Sequence, residues 1–231
     1  MAEAADAHDR AVQEGAAPYT PQFLRRYDRF VAFSNRFLWR CPTETILQRY
    51  RSGVGRRHLE MGVGTGHFPA QTHFPAGQFP GSDPEITLCD LNPSTLDYAA
   101  ERLPHLRCRK VLANVLEPLP ADDVPPDSYD SAALHYLLHC VPGDIRQKEP
   151  VLANAATAVR SGGTVTGSTI LARGVHVPLQ ARLTMRGLNA AGRFHNTEDS
   201  LDDLRSVLER QFADYDLEIR GCTALFTGTV A

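Results

Sequence analysis

Three glycines at alternate positions, Gly62, Gly64 and Gly66, follow directly on an acidic residue with apolar neighbours, Glu60. Glycine allows a backbone turn with positive φ and lets a ligand lie against bare main chain. Placed after a short strand, such a loop predicts a nucleotide-type pocket. The spacing matches neither the dinucleotide fingerprint nor a Walker A motif, and Glu60 would repel a pyrophosphate. The loop therefore favours a ligand that offers a cationic group and hydroxyls.

Two further polar side chains follow predicted strands in the order that such a pocket needs. Asp90 ends the second strand, where a carboxylate can accept two hydrogen bonds from ribose hydroxyls. Asn114 follows the third strand and could turn its amide toward an adenine amine. Taken alone, Asp90 could cap a helix and Asn114 could be a turn residue. Together with the glycine loop, they predict a nucleoside pocket.

Alternating strands and helices must position these side chains, which predicts an α/β fold with a parallel sheet and helices on both faces. Residues 22–51 have a helical pattern that Pro42 should divide, with Thr43 as the cap of the second helix. The remaining helices are predicted at 67–71, 93–103, 145–160 (stopped by Gly162-Gly163), 179–191 and 197–211. Strands are predicted at 57–61, 85–89, 107–112, 129–135 and 164–171, and a closing antiparallel hairpin at 215–220 and 222–230 around Gly221.

This set of motifs resembles the class I S-adenosylmethionine-dependent methyltransferases over roughly residues 55–231. The resemblance implies a Rossmann-like, seven-stranded, mostly parallel sheet with an antiparallel C-terminal hairpin. It implies S-adenosyl-L-methionine as cofactor and S-adenosyl-L-homocysteine as product. The expected organisation is a disordered tail over 1–17, a helical lid over 18–54 and the cofactor-binding domain over 55–231. The matching pieces are Leu59–Gly66, Cys89–Pro93, Tyr129-Asp130 and Gly162-Gly163.

The resemblance also implies roles for single residues. The glycine loop would hold the methionine part of the cofactor, Asp90 the ribose, and Asn114 with Val115 the adenine. Many relatives carry Asp where this chain has Asn114, but an amide can still accept from the adenine amine. The implied cofactor-binding residues are Tyr27, Arg40, Glu60, Gly62, Gly64, Gly66, Asp90, Leu91, Asn114 and Val115.

In that family, the exit of the fourth strand faces the transferable methyl group. This chain lacks the Asn/Asp-Pro-Pro-Tyr/Phe motif common in enzymes that methylate base amino groups, and His135 stands where the motif would begin. A neutral imidazole there could take a proton from the nucleophile. His139, four residues later, would lie on the same helix face as His135 if this segment were helical. Both histidines could instead be packed residues with satisfied rings.

The N-terminal segment is rich in aromatic and basic residues. Its aromatics could wall a pocket for a flat substrate or form plain core. Tyr19 precedes the first helix, and its hydroxyl paired with His135 would make a proton relay. The arginines could be a solvated helix face, an RNA-binding stripe, or the source of Arg40 for the cofactor carboxylate. The predicted catalytic residues are therefore His135, Tyr19 and His139.

A looser resemblance links the chain to a microbial natural-product branch that includes indole C3-methyltransferases of pyrroloindoline alkaloid pathways. It implies a small aromatic substrate of indole type, with Tyr19 and His135 helping to remove the indole N–H proton as C3 attacks. The alternatives are O- or N-methylation of another natural product, methylation of RNA or protein, and a cofactor-binding partner without catalysis. The pieces that match are Tyr27-Asp28, Trp39–Pro42, 137–143, 169–171 and 192–196.

Composition sets the outer limits of these interpretations. The 231 residues fit one domain with a full-sized core. A net charge of −3 gives no overall attraction to nucleic acid or anionic membrane, and no apolar run approaches a membrane span. Five cysteines without C-x-x-C spacing and a start without signal-peptide features predict a cytoplasmic protein with reduced thiols and no metal site. A homodimer is one option for the oligomeric state.

Overall fold

Strands and helices alternate along the chain. The computed structural model describes residues 21–76 and 83–231, with side chains from residue 28 onward. The helices are α1 (Pro21–Phe37), α2 (Thr43–Gly53), α3 (His67–Ala70), α4 (Pro93–Glu101), a 3₁₀ turn (Leu138–Cys140), α5 (Glu149–Ala158), α6 (Leu179–Ala190) and α7 (Leu201–Gln211). The strands are β1 (Arg57–Met61), β2 (Glu85–Asp90), β3 (Arg107–Leu112), β4 (Tyr129–His135), β5 (Val159–Ile170), β6 (Asp214–Arg220) and β7 (Thr223–Thr229).

The strands form one seven-stranded sheet in the order β3-β2-β1-β4-β5-β7-β6. The first five strands pair in parallel, whereas β7 runs antiparallel to both β5 and β6. The predicted α/β, Rossmann-like fold with an antiparallel C-terminal hairpin is therefore confirmed. Because β1 has β2 on one side and β4 on the other, the strand order reverses there. Such a switch point opens a crevice at the carboxyl ends of the strands.

The two faces of this sheet differ in polarity because side chains alternate along each strand. Leu59 and Met61 of β1 join the main apolar cluster, to which α5 and α7 contribute. His58 and Glu60, at the alternate positions, contact Tyr50 of α2 instead. Helix α2 therefore covers a polar part of the sheet, and this part ends at the crevice.

The predicted helix stop at Gly162-Gly163 is wrong, because β5 begins at Val159 and contains both glycines. The pairing of β5 with β4 is irregular at this point. Gly162 has a φ of +72°, and a Cβ on Gly163 would lie 2.5 Å from Val159 Cγ1 and 2.8 Å from the Asp130 carbonyl oxygen. The two glycines therefore lie in an irregular stretch of the β4–β5 pairing, in which residues 160–163 stand opposite Asp130 alone.

The chain breaks between α1 and α2 as predicted, but Thr43 is not the cap. Pro42 occupies the N-cap position, and Thr43 is the first residue of α2. The Thr43 hydroxyl accepts a hydrogen bond from Asn35 Nδ2 at 3.0 Å, which joins the two helices. Helix α7 also begins later than predicted, since Ser200 caps it by accepting from the Asp203 backbone N–H.

Candidate active site

A cleft opens at the carboxyl ends of β1, β2 and β4, at the switch point of the sheet. Helix α1, the glycine loop, the turns after β2 and β3, and the segment after β4 supply its walls. Most of the residues that the sequence predicts for the site meet in this cleft. They are Glu60, Gly62, Gly64, Asp90, Leu91, Asn114, Val115 and His135.

The glycine loop has the backbone conformation that only glycine adopts readily. Gly62, Gly64 and Gly66 have φ values of +70°, +52° and +67°. A Cβ on Gly62 would lie 2.6 Å from Leu137 Cδ1, and one on Gly66 would lie 3.0 Å from Ala99 Cβ. A Cβ on Gly64 would meet nothing within 4 Å. Gly62 and Gly66 are therefore needed for packing, and Gly64 leaves open space for a ligand.

Asp90 lies beside this loop with its carboxylate in the cleft. Its Oδ1 accepts from the Asn92 backbone N–H at 2.9 Å, and its Oδ2 accepts from Gly64 N–H at 3.5 Å. Burial raises its pKa, although these backbone donors oppose the shift. The cap of α4 is Asn92, whose side chain accepts from the Ser94 backbone N–H. Asp90 is therefore not the helix cap, and its carboxylate can face ribose hydroxyls.

Asn114 combines the two interpretations that its sequence position left open. Its Oδ1 accepts from the Leu116 backbone N–H at 3.1 Å, so it is a turn residue. It also lines the cleft, between the apolar side chains of Leu91 and Val115. This oxygen keeps a second lone pair and Nδ2 is a donor, so the contact of Asn114 with an adenine stays a prediction.

Glu60 is buried at the floor of the cleft and is bound by two side chains. Its Oε2 accepts from the Tyr50 hydroxyl at 2.8 Å and lies 3.2 Å from His58 Nε2. The second nitrogen of His58 lies 2.7 Å from the Ser131 hydroxyl. Both contacts of Glu60 use the same carboxylate oxygen, so Oε1 stays outside them.

Asp28, on α1, ties the N-terminal helix to the glycine loop. It accepts from the hydroxyl of Thr65 and, at 2.8 Å, from Arg102 Nη1, while His67 Nδ1 lies 3.3 Å away. Burial favours the neutral acid, but the hydrogen bonds from these three side chains outweigh it and lower the pKa of Asp28 to about 2. The sequence prediction did not assign this role to Asp28, although it is an acid on an arginine-rich helix.

His135 reaches the cleft, but both of its ring nitrogens face hydroxyls of β5. Nδ1 lies 3.1 Å from Ser168 Oγ, and Nε2 lies 3.2 Å from Thr166 Oγ1. The ring packs between those of Tyr50 and Phe68. Burial, helped by the nearby positive groups, lowers the pKa of His135 to about 3. This is the geometry of a packed, neutral imidazole, and its assignment as a base stays a prediction.

His139 is buried and does not line the cleft, although its ring packs against that of Tyr136, which does. Its Nδ1 accepts from the Ile170 backbone N–H at 3.4 Å, and its ring stacks edge-on against Phe194 at 4.5 Å. The helical turn there covers only Leu138–Cys140, so His139 and His135 do not share a helix face. Burial lowers the pKa of His139 to about 3. Nothing in this setting gives His139 access to a reacting group in the cleft.

The contacts predicted from the N-terminal segment have less support. Arg40 is exposed, and its Cβ lies against Gly221 in the β6–β7 turn, so it is not among the cleft residues. Tyr27 lies in α1, but its side chain is outside the described part of the chain. Tyr19 and the tail 1–17 also lie outside the described residues. Their assignments stay predictions.

Replacing Gly64 with alanine should weaken cofactor binding at least tenfold without unfolding the protein. The new methyl group would occupy the open space of the cleft, and the positive φ adds strain of roughly 1 kcal/mol. Titration calorimetry with S-adenosylhomocysteine measures this effect. Gly162→Ala is the matched control, because Gly162 also has a positive φ and open space at its Cβ but lies in β5. Equal affinity in the two variants would contradict this use of Gly64.

The described parts of the chain lack two features. Residues 21–76 and 83–231 contain no group of three or more His, Cys, Asp or Glu side chains arranged to hold a metal ion. In the same ranges, no helix has both the length and the apolar character that crossing a membrane requires.

Comparisons with known proteins show what the whole chain is similar to. Residues 59–165 match a family model described as a methyltransferase domain. Over 219 residues the chain is 44% identical to demethylluteothin O-methyltransferase of Streptomyces thioluteus, covering 94% of this chain and 92% of that protein. It is 32% identical over 216 residues to the physcion biosynthesis cluster O-methyltransferase of Aspergillus chevalieri, covering 93% and 94%.

A solved structure has the same fold at low identity. It is a SAM-dependent methyltransferase from Thermotoga maritima, described as a possible histamine N-methyltransferase. The TM-score is 0.60 at 16% sequence identity, over 90% of this chain and 98% of that one.

Proposed function

Because the chain belongs to the S-adenosylmethionine-dependent methyltransferases of natural-product type, we propose that it methylates an acidic hydroxyl group of a small aromatic or enolic natural product. The curated relatives named above support oxygen as the attacked atom, since both are called O-methyltransferases. Methylation of an indole carbon remains an alternative from the sequence, and neither of those names supports it.

The observation that carries this proposal is the state of three ionisable groups in the cleft, His135, Cys140 and Asp28. His135 has both nitrogens against hydroxyls and a pKa of about 3, and burial raises the pKa of the Cys140 thiol to about 12. The carboxylate of Asp28 is already bound by its three donors. None of these three groups suits removal of a tightly held proton near neutral pH. An acidic enol or an activated phenol needs little help, because part of it is already ionised near neutral pH.

The cleft has polar groups suited to both the adenosine part and the methionine part of the cofactor. S-adenosylmethionine, when bound, supplies an electrophilic methyl group. Asp90 would hold the ribose hydroxyls, Asn114 would meet the adenine, and Glu60 would face the cationic methionine part. The open space at Gly64 allows close approach of a ligand to the backbone.

The remaining wall of the cleft suits a flat acceptor. Val31 and Phe68 line it with apolar surface, and Tyr136 adds an aromatic ring. These side chains would orient the acceptor oxygen and exclude water, which is the main contribution that a protein makes to such a transfer. In this proposal the chain acts by positioning, and His135 serves the packing of the floor.

The test is a panel of acceptors that differ in the attacked atom and in acidity. Phenols and enols with pKa values on both sides of neutrality are compared with an aromatic amine and an indole, and the products are assigned by NMR. We expect O-methyl products, with kcat/KM following the ionised fraction of each hydroxyl as pH changes. An Asp90→Ala variant, which should lose cofactor binding, controls for non-enzymatic methylation.

Three outcomes of this panel would contradict the proposal. A C-methylated indole would favour the indole alternative, and a preferred aromatic amine would favour N-methylation. Binding of S-adenosylhomocysteine without transfer to any acceptor would favour a cofactor-binding partner. A separate assay with RNA as acceptor tests the nucleic-acid alternative, in which the rate should fall steeply at high salt.

A further inference from the structure

A chain of buried polar groups leads from the backbone before β1 to the floor of the cleft. We call Tyr50, His58, Glu60 and Ser131 the Glu60 network; all four side chains are buried. The network begins at the backbone N–H of Gly55, which donates to Ser131 Oγ at 2.7 Å. It ends at Glu60, the member that lines the cleft.

The hydrogen bonds of this network can be given a single direction. Because Ser131 Oγ accepts from the backbone N–H of Gly55, its own hydrogen can go to His58 Nδ1, 2.7 Å away. That assignment leaves the proton of the imidazole on Nε2, which then donates to Glu60 Oε2 at 3.2 Å. The opposite tautomer would set the Nε2 lone pair against a carboxylate oxygen, which is repulsive. His58 is therefore a donor to Glu60.

Tyr50 supplies the second donor to the same oxygen. Its hydroxyl lies 2.8 Å from Glu60 Oε2, and its ring is held by stacking on Phe68 at 5.8 Å between centroids. Burial, followed by the charge of Glu60, raises the pKa of Tyr50 well above its ordinary range. Tyr50 therefore remains a protonated donor. Two fixed donors on one oxygen hold the carboxylate in one orientation.

We propose that Tyr50 and His58 are positioning residues that hold the Glu60 carboxylate so that its second oxygen binds the cationic amino-acid part of S-adenosylmethionine. The inference rests on the proposed role of Glu60 in the cofactor site. The glycine loop begins directly after β1, so the orientation of Glu60 is set at the point where that loop leaves the sheet. The two donors on Oε2 therefore fix the direction in which Glu60 Oε1 can accept a hydrogen bond.

The test compares ligands that share the adenosine part and differ in the amino-acid part. S-adenosylmethionine and S-adenosylhomocysteine carry the amino group, whereas 5′-methylthioadenosine lacks the amino acid altogether. In Tyr50→Phe, calorimetry should show the Kd of S-adenosylhomocysteine raised about tenfold. The Kd of 5′-methylthioadenosine should change less than about twofold. Tyr129→Phe is the matched control, because it removes a buried tyrosine hydroxyl that donates to Thr87 at 2.9 Å outside the cleft.

His58 provides an independent pair of variants. His58→Leu removes the donor to Glu60 and should reproduce the loss seen in Tyr50→Phe, whereas His58→Gln keeps an N–H donor and should restore affinity to within about threefold. Equal losses for the two cofactor forms would assign the contact to their shared amino group. This is the result that the proposal expects. A loss confined to S-adenosylmethionine would assign the contact to the sulfonium instead, which is one form of the second overturning result given below.

Two results would overturn the proposal. In the first, Tyr50→Phe weakens 5′-methylthioadenosine as much as S-adenosylhomocysteine, which would mean a general disturbance of the pocket. In the second, neither Tyr50→Phe nor His58→Leu changes the Kd of S-adenosylhomocysteine more than Tyr129→Phe does. Because these measurements need no acceptor, they stand apart from the acceptor panel that tests hydroxyl methylation.

Discussion

Replacing Lys148 with methionine is expected to lower the free energy of unfolding by about 3–5 kcal/mol. Lys148 and Asp199 are both fully buried, and Lys148 Nζ donates at 2.8 Å to both carboxylate oxygens and to the His195 carbonyl. The substitution leaves the Asp199 carboxylate buried without its cation. Burial already raises the pKa of Asp199 to about 7 in the presence of Lys148. Urea denaturation at pH 8 measures the loss.

The sequence contains one other lysine, which makes a matched control. Lys110 pairs with Asp97 at 2.7 Å, but both side chains are largely exposed, so Lys110→Met should cost less than about 1 kcal/mol. The double variant Lys148→Met/Asp199→Leu should recover most of the stability, because no unpaired charge remains in the interior. The expectation would be wrong if Lys148→Met cost no more than Lys110→Met.

The strand positions could be predicted closely from the sequence. The alternation of strands and helices, with turn residues between them, places β1, β3 and β4 at their observed bounds. The junction between α5 and β5 could not be predicted in the same way. Val159 satisfies both the helical and the strand pattern there. Only the pairing with β4 shows that Gly162 and Gly163 belong to β5 and do not end the helix.

The parts of the site that follow local signals were also predictable. The glycine loop, Glu60 and Asp90 each lie at or near the carboxyl end of a predicted strand, where a parallel sheet brings its site residues together. The residues that sequence reasoning missed make contacts between elements that are far apart in the chain. Tyr50 reaches Glu60 from α2, and Lys148 meets Asp199 from another part of the chain.

One of these missed contacts did have a sequence signal. Residues His58 and Glu60 are two positions apart on a strand and must therefore share a face. A histidine and a glutamate pointing together toward a buried face need polar partners there, which indicates a network. The identity of those partners, Tyr50 and Ser131, depends on packing and could not be deduced from spacing.

The stability of the wild-type protein should fall relative to that of a His135→Gln variant as pH is lowered from 7 to 4. The pKa of His135 is about 3 in the folded protein, whereas an unfolded chain has a histidine pKa of about 6.5. Below about pH 6.5 the unfolded state therefore binds a proton that the folded state refuses. The contribution is fully present above that pH and is lost toward the folded value. The expected loss is about 2 kcal/mol between pH 7 and 5, and about 3 kcal/mol by pH 4.

Urea denaturation of both proteins at each pH gives this difference directly. The groups around His135, which are His58, Arg49, Tyr50 and Glu60, are the same in both proteins, so their titration largely cancels. His176→Gln, at an exposed histidine, controls for the substitution itself. A stability difference that does not change with pH would mean that His135 titrates in the folded protein much as it does in the unfolded chain.

The same variant separates the two roles open to His135. If the imidazole only packs the floor of the cleft between Tyr50 and Phe68, the glutamine variant should keep kcat within about threefold for an acceptor that is already ionised at pH 8. A general base would instead cost about 100-fold or more on an acceptor that is still protonated at that pH, with a smaller loss on the ionised one. A packed, neutral His135 therefore requires both a pH-dependent stability difference and a loss of kcat in His135→Gln that is equally small for the ionised and the protonated acceptor.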